Sequence, residues 1–73
     1  MNKERELKKL GTQIRQVRND KGLTLEELAS KSDKAYQVLQ RLETGKENPS
    51  MYLLAEIASG MKMTLEALLK GIN

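Results

Sequence analysis

Residues 23–49 read LTLEELASKSDKAYQVLQRLETGKENP, and this stretch decides the fold. Its start favours a helix, because Thr24 is a good N-cap residue and Glu27, three positions later, can reach back to the free N–H of the cap. Gly22 stands just before, where a left-handed residue often ends the preceding helix. Apolar residues then recur at helical spacing in two runs, and the second run closes at Gly45. The stretch therefore predicts two short helices, at about residues 25–31 and 36–43, joined by a tight turn.

Helices are also predicted on both sides of this stretch. Apolar residues at three- and four-residue steps indicate one amphipathic helix over roughly residues 3–20. After the loop that ends in Pro49, Ser50 is expected to cap a fourth helix that stops at Gly60, and Thr64 a short last helix ended by Gly71. No stretch alternates long enough for a strand. The predicted fold class is all-α, a compact bundle of about five short helices in a single domain over residues 1–73.

Composition narrows the classes of function. The chain has neither Cys nor His, so disulfides, thiolate metal sites and the commonest general base are absent. We expect no catalytic residues, no metal and no small-molecule cofactor, because the remaining Glu, Asp, Ser and Tyr are scattered. An enzyme is the least favoured class. No apolar run approaches the length of a membrane span and no signal-peptide pattern opens the chain, so we expect a soluble cytoplasmic protein with no membrane partner.

The net charge of +3 is unevenly placed. Residues 1–21 hold seven basic and three acidic residues, whereas the rest of the chain holds six basic and seven acidic ones. A basic first helix suits a phosphate backbone. It is equally an ordinary solvated helix face, and composition leaves both interpretations open.

Two short helices joined by a tight turn are the layout of a helix-turn-helix, which lays its second helix in the major groove of DNA. Spacing alone fits a plain helical hairpin equally well. The wider pattern, however, resembles the Xre/Cro-repressor family from about Leu10 to Leu69. The similar pieces are IRQVRNDKGLTLEELA, RLETGKENPS and LLAEIASGMKMTLEALL. This resemblance implies a lambda-repressor-like domain with its helix-turn-helix at about residues 24–43.

The resemblance also implies which residues meet DNA. The start of the second helix of the motif would contact base edges, through Tyr36, Gln37, Gln40 and Arg41. Phosphate contacts would come from Arg15, Arg18, Thr24, Lys46 and Asn48. Glutamine pairs well with adenine and arginine with guanine. The same residue types are also found on any exposed helix face, and Arg41 with Glu43 is open to interpretation as a surface ion group.

The chain departs from the family pattern at the turn. Ser32, Asp33, Lys34 and Ala35 stand where an apolar-Gly-apolar sequence and a Ser or Thr cap are usual. Residues 24–48 also hold four basic and five acidic residues, so the expected reading surface is not basic. The leading hypothesis is a sequence-specific DNA-binding transcriptional regulator that binds a palindromic operator in double-stranded DNA as a homodimer. The alternative is a protein-binding helical module, or an antitoxin subunit with a toxin or other protein partner, in which DNA binding is weak or lost.

Apolar residues crowd the last third of the chain, more than five short helices are expected to cover. An uncovered apolar patch marks an interaction site, and Met supplies an adaptable surface for one. The alternative is that these residues complete the core. The predicted dimer interface consists of Met51, Tyr52, Met61, Met63, Leu65, Leu69 and Ile72.

Overall fold

The computed structural model describes residues 2–72, and within that range every regular element is an α-helix. The prediction of an all-α fold with five helices is confirmed. None of these helices has the length and apolar character needed to cross a membrane. The elements are α1 (Lys3–Asp20), α2 (Leu25–Lys31), α3 (Tyr36–Glu43), α4 (Met51–Gly60) and α5 (Leu65–Leu69).

The helix starts follow the capping residues that the sequence predicts. The Thr24 hydroxyl accepts a hydrogen bond from the Glu27 N–H at 3.0 Å, and the Thr24 N–H donates to the Glu27 carboxylate at 2.8 Å. These bonds form the predicted capping box, and they lower the pKa of Glu27, the bond from the Thr24 backbone N–H most of all. Ser50 and Thr64 cap α4 and α5 through their hydroxyl oxygens alone, which accept from the Leu53 and Ala67 N–H groups. By contrast, α3 starts at Ala35 without a side-chain cap.

The core lies where the five helices meet. Helix α1 packs against α3 and α5, α2 packs against α3 and α4, and α4 packs against α5. Each helix contributes buried apolar side chains at the spacing that the sequence predicts. The buried apolar residues are Ile14, Leu28, Ala29, Leu39, Leu42, Leu54, Ile57, Ala58, Met61 and Leu68.

One glycine allows α1 to approach α3 closely. A Cβ atom placed on Gly11 would lie 2.5 Å from the carbonyl oxygen of Leu42 and 2.6 Å from that of Glu43. Both oxygens belong to the backbone, so neither can move aside without moving α3. Gly11 therefore sets the distance between α1 and the last turn of α3.

The ends of α2 and α4 meet at a second close contact. Asp33, in the turn between α2 and α3, adopts a left-handed conformation with φ of 55°. Helix α4 ends at Gly60, as predicted, and the left-handed position after it belongs to Lys62, with φ of 59°. Gly60 is small for a different reason, because a Cβ there would collide with the buried Ser32 hydroxyl.

Candidate nucleic-acid interface

Helix α3 has one buried side and one exposed side. Leu39 and Leu42 face the core, and both are almost completely buried. The predicted base-contacting residues occupy positions one and four apart, so they share the opposite side of the helix. The structure brings together on that exposed side Tyr36, Gln37, Gln40 and Arg41.

The arginine of this surface is held by an acidic residue from the loop after α3. Arg41 Nη2 lies 3.2 Å from Glu47 Oε1. The Lys46 N–H donates to the Arg41 carbonyl oxygen at 2.8 Å, which fixes the chain just before Glu47. Sequence reasoning considered Glu43 as the partner of Arg41 and did not single out Glu47.

Glu43 is occupied elsewhere, in a buried ion pair with Arg18. Arg18 Nε donates to Glu43 Oε2 at 2.7 Å and Arg18 Nη2 donates to Glu43 Oε1 at 2.9 Å. Arg18 Nη1 donates to the Leu23 carbonyl oxygen at 2.9 Å. The two charged side chains are only 12% and 6% exposed. The hydrogen bonds to Glu43 raise the pKa of Arg18.

This pair corrects one prediction about DNA contacts. Arg18 was expected to contact phosphate, but its guanidinium faces inward and joins the end of α1, the following loop and the end of α3. A buried Arg–carboxylate pair with two parallel hydrogen bonds is a rigid link between elements. Arg18 therefore links α1 to the last turn of α3, and its three hydrogen bonds use donors that a phosphate contact would need.

The other predicted phosphate-contacting residues lie at the surface, on three different elements. Arg15 is exposed on α1, while Lys46 and Asn48 are exposed in the loop after α3. Thr24 is exposed too, but its backbone N–H and its hydroxyl oxygen are both used in the capping box. The hydroxyl proton of Thr24 is thus the donor that remains for a ligand.

A further ion pair ties the unusual turn to α4. Lys34 Nζ lies 2.9 Å from Glu56 Oε1, and the Lys34 side chain is half-buried. The long alkyl chain of lysine can cover the core while its charge reaches a partner at the rim. This contact explains how a lysine occupies a position where an apolar residue was expected.

The structure narrows the apolar surface of the C-terminal third. Met61 was predicted to lie at a dimer interface, but it is 2% exposed and belongs to the core. The intermediate residues Met63, Leu65 and Leu69 pack against that core. Ile72 is likewise only partly exposed, so these four residues present less apolar surface than the sequence predicts.

Two residues at the start of α4 are exceptions. Met51 is 64% exposed and Tyr52 is 85% exposed, although both are large and apolar for most of their surface. Among the described residues, no group of three or more acidic side chains is placed to hold a metal ion.

A family profile described as helix-turn-helix matches residues 14–68 of the chain, from the core of α1 to α5. The chain belongs to the Xre/Cro-repressor family of helix-turn-helix proteins. The resemblance found in the sequence is thus confirmed at the level of family and fold.

Two curated proteins of this family are similar in sequence. The HTH-type transcriptional regulator DdrOP3 of Deinococcus deserti is 34% identical over 65 residues, which are 89% of this chain and 50% of that protein. The uncharacterized HTH-type transcriptional regulator y4dJ of Sinorhizobium fredii is 37% identical over 54 residues, 74% of this chain and 70% of that protein. This Xre/Cro-type chain spans only half the length of the Deinococcus protein.

A solved structure shares the arrangement of helices. The restriction-modification controller protein C.AhdI from Aeromonas hydrophila superposes with a TM-score of 0.84 at 28% sequence identity. The superposition covers 88% of this chain and 97% of the controller protein. The Xre/Cro-type helices are thus found in a solved protein of nearly the same extent.

Proposed function

We propose that this chain is a sequence-specific DNA-binding transcriptional regulator, which binds a palindromic operator in double-stranded DNA as a homodimer. The observation that carries this proposal is the exposed polar side of α3, where Gln37, Gln40 and Arg41 stand opposite the buried leucines. A helix with this division fits the major groove, with its polar side chains toward the base edges. The names of the two curated relatives, both HTH-type transcriptional regulators, support the same function.

Selection of bound sequences from a random duplex pool tests this proposal directly. An enriched, two-fold symmetric motif is the expected result. Gln37→Ala should then weaken binding to the selected site by about 1–3 kcal/mol, because one paired base contact is lost. Lys46→Ala is the matched control, since a lost phosphate contact weakens binding to all sequences and reduces the salt slope by about one unit. If Gln37→Ala changes neither affinity nor sequence preference, Gln37 does not read bases.

The dimer is proposed to form through the apolar surface at the start of α4, with a second copy of the chain as its occupant. Met51 and Tyr52 are the most exposed large apolar side chains described, and an apolar patch of this kind favours association. The molecule measures 32 × 23 × 21 Å. The separation between two copies packed side by side would thus be comparable with one DNA turn, roughly 34 Å, which is the spacing that a palindromic site requires.

Sedimentation equilibrium at micromolar concentration tests the dimer. The expected result is twice the 8.3 kDa mass of the chain. The variant Met51→Ser/Tyr52→Ser should sediment as a monomer and keep its helical circular dichroism, because neither side chain is part of the core. An unmodified protein that sediments as a monomer contradicts the proposed dimer.

A second candidate function is a protein-binding module or antitoxin subunit of the same fold. It is favoured by one observation, namely that basic side chains near α3 are already paired within the chain. Arg41 contacts Glu47 and Lys34 contacts Glu56. Titration against mixed duplex DNA separates the two functions, since retention that falls steeply with salt supports DNA binding. No retention at low salt supports the protein-binding module.

A further inference from the structure

The ion pair between Arg41 and Glu47 uses only one edge of the arginine. Arg41 Nη2 lies 3.2 Å from Glu47 Oε1 in a single contact, whereas two parallel hydrogen bonds join Arg18 to Glu43. A guanidinium carries five N–H donors in a planar fork. A single contact on a side chain that is 62% exposed therefore leaves most of the Arg41 donors accessible to a ligand.

The two members of this pair differ in how firmly they are held. The Arg41 side chain is 62% exposed, whereas the Glu47 side chain is 27% exposed. The chain before Glu47 is fixed by the hydrogen bond from the Lys46 N–H to the Arg41 carbonyl oxygen, at 2.8 Å. Gly45 reinforces this geometry, because its left-handed φ of 77° turns the chain directly over Lys8. Glu47 is thus the less exposed member, next to a fixed backbone position, and Arg41 is the more exposed one.

We propose that Glu47 is a specificity-determining residue, which holds the Arg41 guanidinium so that its remaining donors meet the O6 and N7 atoms of a guanine. The proposal rests on the DNA-binding function proposed above and assigns a role within the same surface. A free arginine loses side-chain entropy when it is fixed in one conformation. A carboxylate that orients the arginine before binding reduces the entropy lost when the arginine contacts the correct base. The preference for guanine over other bases therefore increases.

An acidic residue near DNA also has a second effect, which changes a different measured quantity. Glu47 repels the phosphate backbone, so it lowers affinity for every duplex alike. If repulsion and competition for Arg41 were its whole contribution, removal of its charge would raise affinity without reducing sequence preference. The two effects are separated by the ratio of affinities for matched and mismatched duplexes, and not by either affinity alone.

The experiment compares the unmodified chain with Glu47→Gln, a variant of nearly the same shape without the charge. Each is titrated against the duplex selected from a random pool, the matched duplex. Each is also titrated against a mismatched duplex, in which the G·C pair whose preference depends on Arg41 is replaced. We expect Glu47→Gln to bind the mismatched duplex at least as tightly as the unmodified chain. Its preference for the matched duplex should fall by about fivefold or more, the lower end of one base contact.

Two controls isolate the coupling. Glu26→Gln removes one negative charge from the exposed side of α2, so it should change both affinities equally and leave their ratio intact. In an Arg41→Ala background, Glu47→Gln should change the ratio by less than about twofold, because the side chain that it orients is gone. Equal thermal midpoints for Glu47→Gln and the unmodified chain show that the fold is retained.

The outcomes distinguish this inference from the proposed function. An unchanged or increased ratio in Glu47→Gln overturns the role of Glu47 while the function stands. A preference that survives Arg41→Ala also overturns it, since Arg41 then reads no base. Absence of binding by the unmodified chain overturns both proposals.

Discussion

Breaking the buried pair between Arg18 and Glu43 from one side should destabilise the fold severely. Both carboxylate oxygens of Glu43 accept hydrogen bonds from Arg18, at 2.7 and 2.9 Å, and both side chains are nearly shielded from water. Arg18→Ala leaves the Glu43 carboxylate buried without its partner, and it also frees the Leu23 carbonyl oxygen. Removal of one partner of a buried pair costs about 3–5 kcal/mol.

That cost is a large part of the total stability of such a chain. At roughly 0.05–0.15 kcal/mol per residue, a domain of 73 residues has a free energy of unfolding of about 4–11 kcal/mol. Arg18→Ala should therefore lose between about a quarter and all of its free energy of unfolding, so its urea midpoint should fall sharply. The double variant Arg18→Met/Glu43→Leu removes both charges and keeps the volume, so it should lie within about 1–2 kcal/mol of the unmodified protein.

Urea unfolding followed by circular dichroism measures these differences as shifts of the midpoint at constant slope. The double variant also tests the inward orientation of Arg18, since it removes no phosphate contact if Arg18 faces inward. Its salt slope for DNA binding should then equal that of the unmodified chain. A single variant that costs under about 1 kcal/mol would refute the burial argument, because exposed ion pairs contribute no more than that.

Three further predictions concern single side chains. Gly11→Ala should destabilise the chain by about 2 kcal/mol or more in urea unfolding, because the added methyl group meets backbone oxygens of α3 that cannot move aside; a neutral result would show that the two helices can separate freely. Ser32→Ala should raise the thermal midpoint, since it removes a buried hydroxyl that has no hydrogen-bond partner among residues 2–72, a gain of about 1 kcal/mol; a lowered midpoint would indicate a further partner for that hydroxyl. The lowered pKa of Glu27 means that its capping contribution is present above the pKa of the unfolded chain and is lost as the pH falls through the pKa of the folded state. The difference in thermal midpoint between the unmodified chain and Glu27→Gln should accordingly shrink on acidification, and a constant difference would contradict the capping role.

Local signals in the sequence predicted most of the fold. Caps such as Thr24 and Ser50 act within three residues, so their partners are readable from the chain itself. The apolar spacing that predicted the core is equally local, since one turn of helix fixes which side chains share a face. The exposed side of α3 followed from the same spacing, because Leu39 and Leu42 mark the opposite side.

Features that depend on distant parts of the chain escaped prediction. Arg18 meets Glu43 across 25 positions, and Gly11 is small because of α3 and not because of any turn of its own. Neither has a local signal, since an arginine or a glycine on a helix fits many surroundings. Met61 was misplaced for the same reason. Its burial depends on how α4 meets the rest of the bundle, which apolar spacing within α4 does not determine.

The long-range contacts share a consequence for α3. Gly11 sets its distance from α1, and Arg18 holds its last turn through Glu43. The start of α3, by contrast, has no side-chain cap, and its preceding turn is held to α4 through Lys34. The C-terminal end of α3 is therefore held by more contacts than its N-terminal end, and its position is fixed before any ligand binds. Arg41 lies in that last turn, so its backbone is already in place when a ligand binds. An arginine that is oriented before binding needs a fixed backbone of this kind if it is to contact one base selectively.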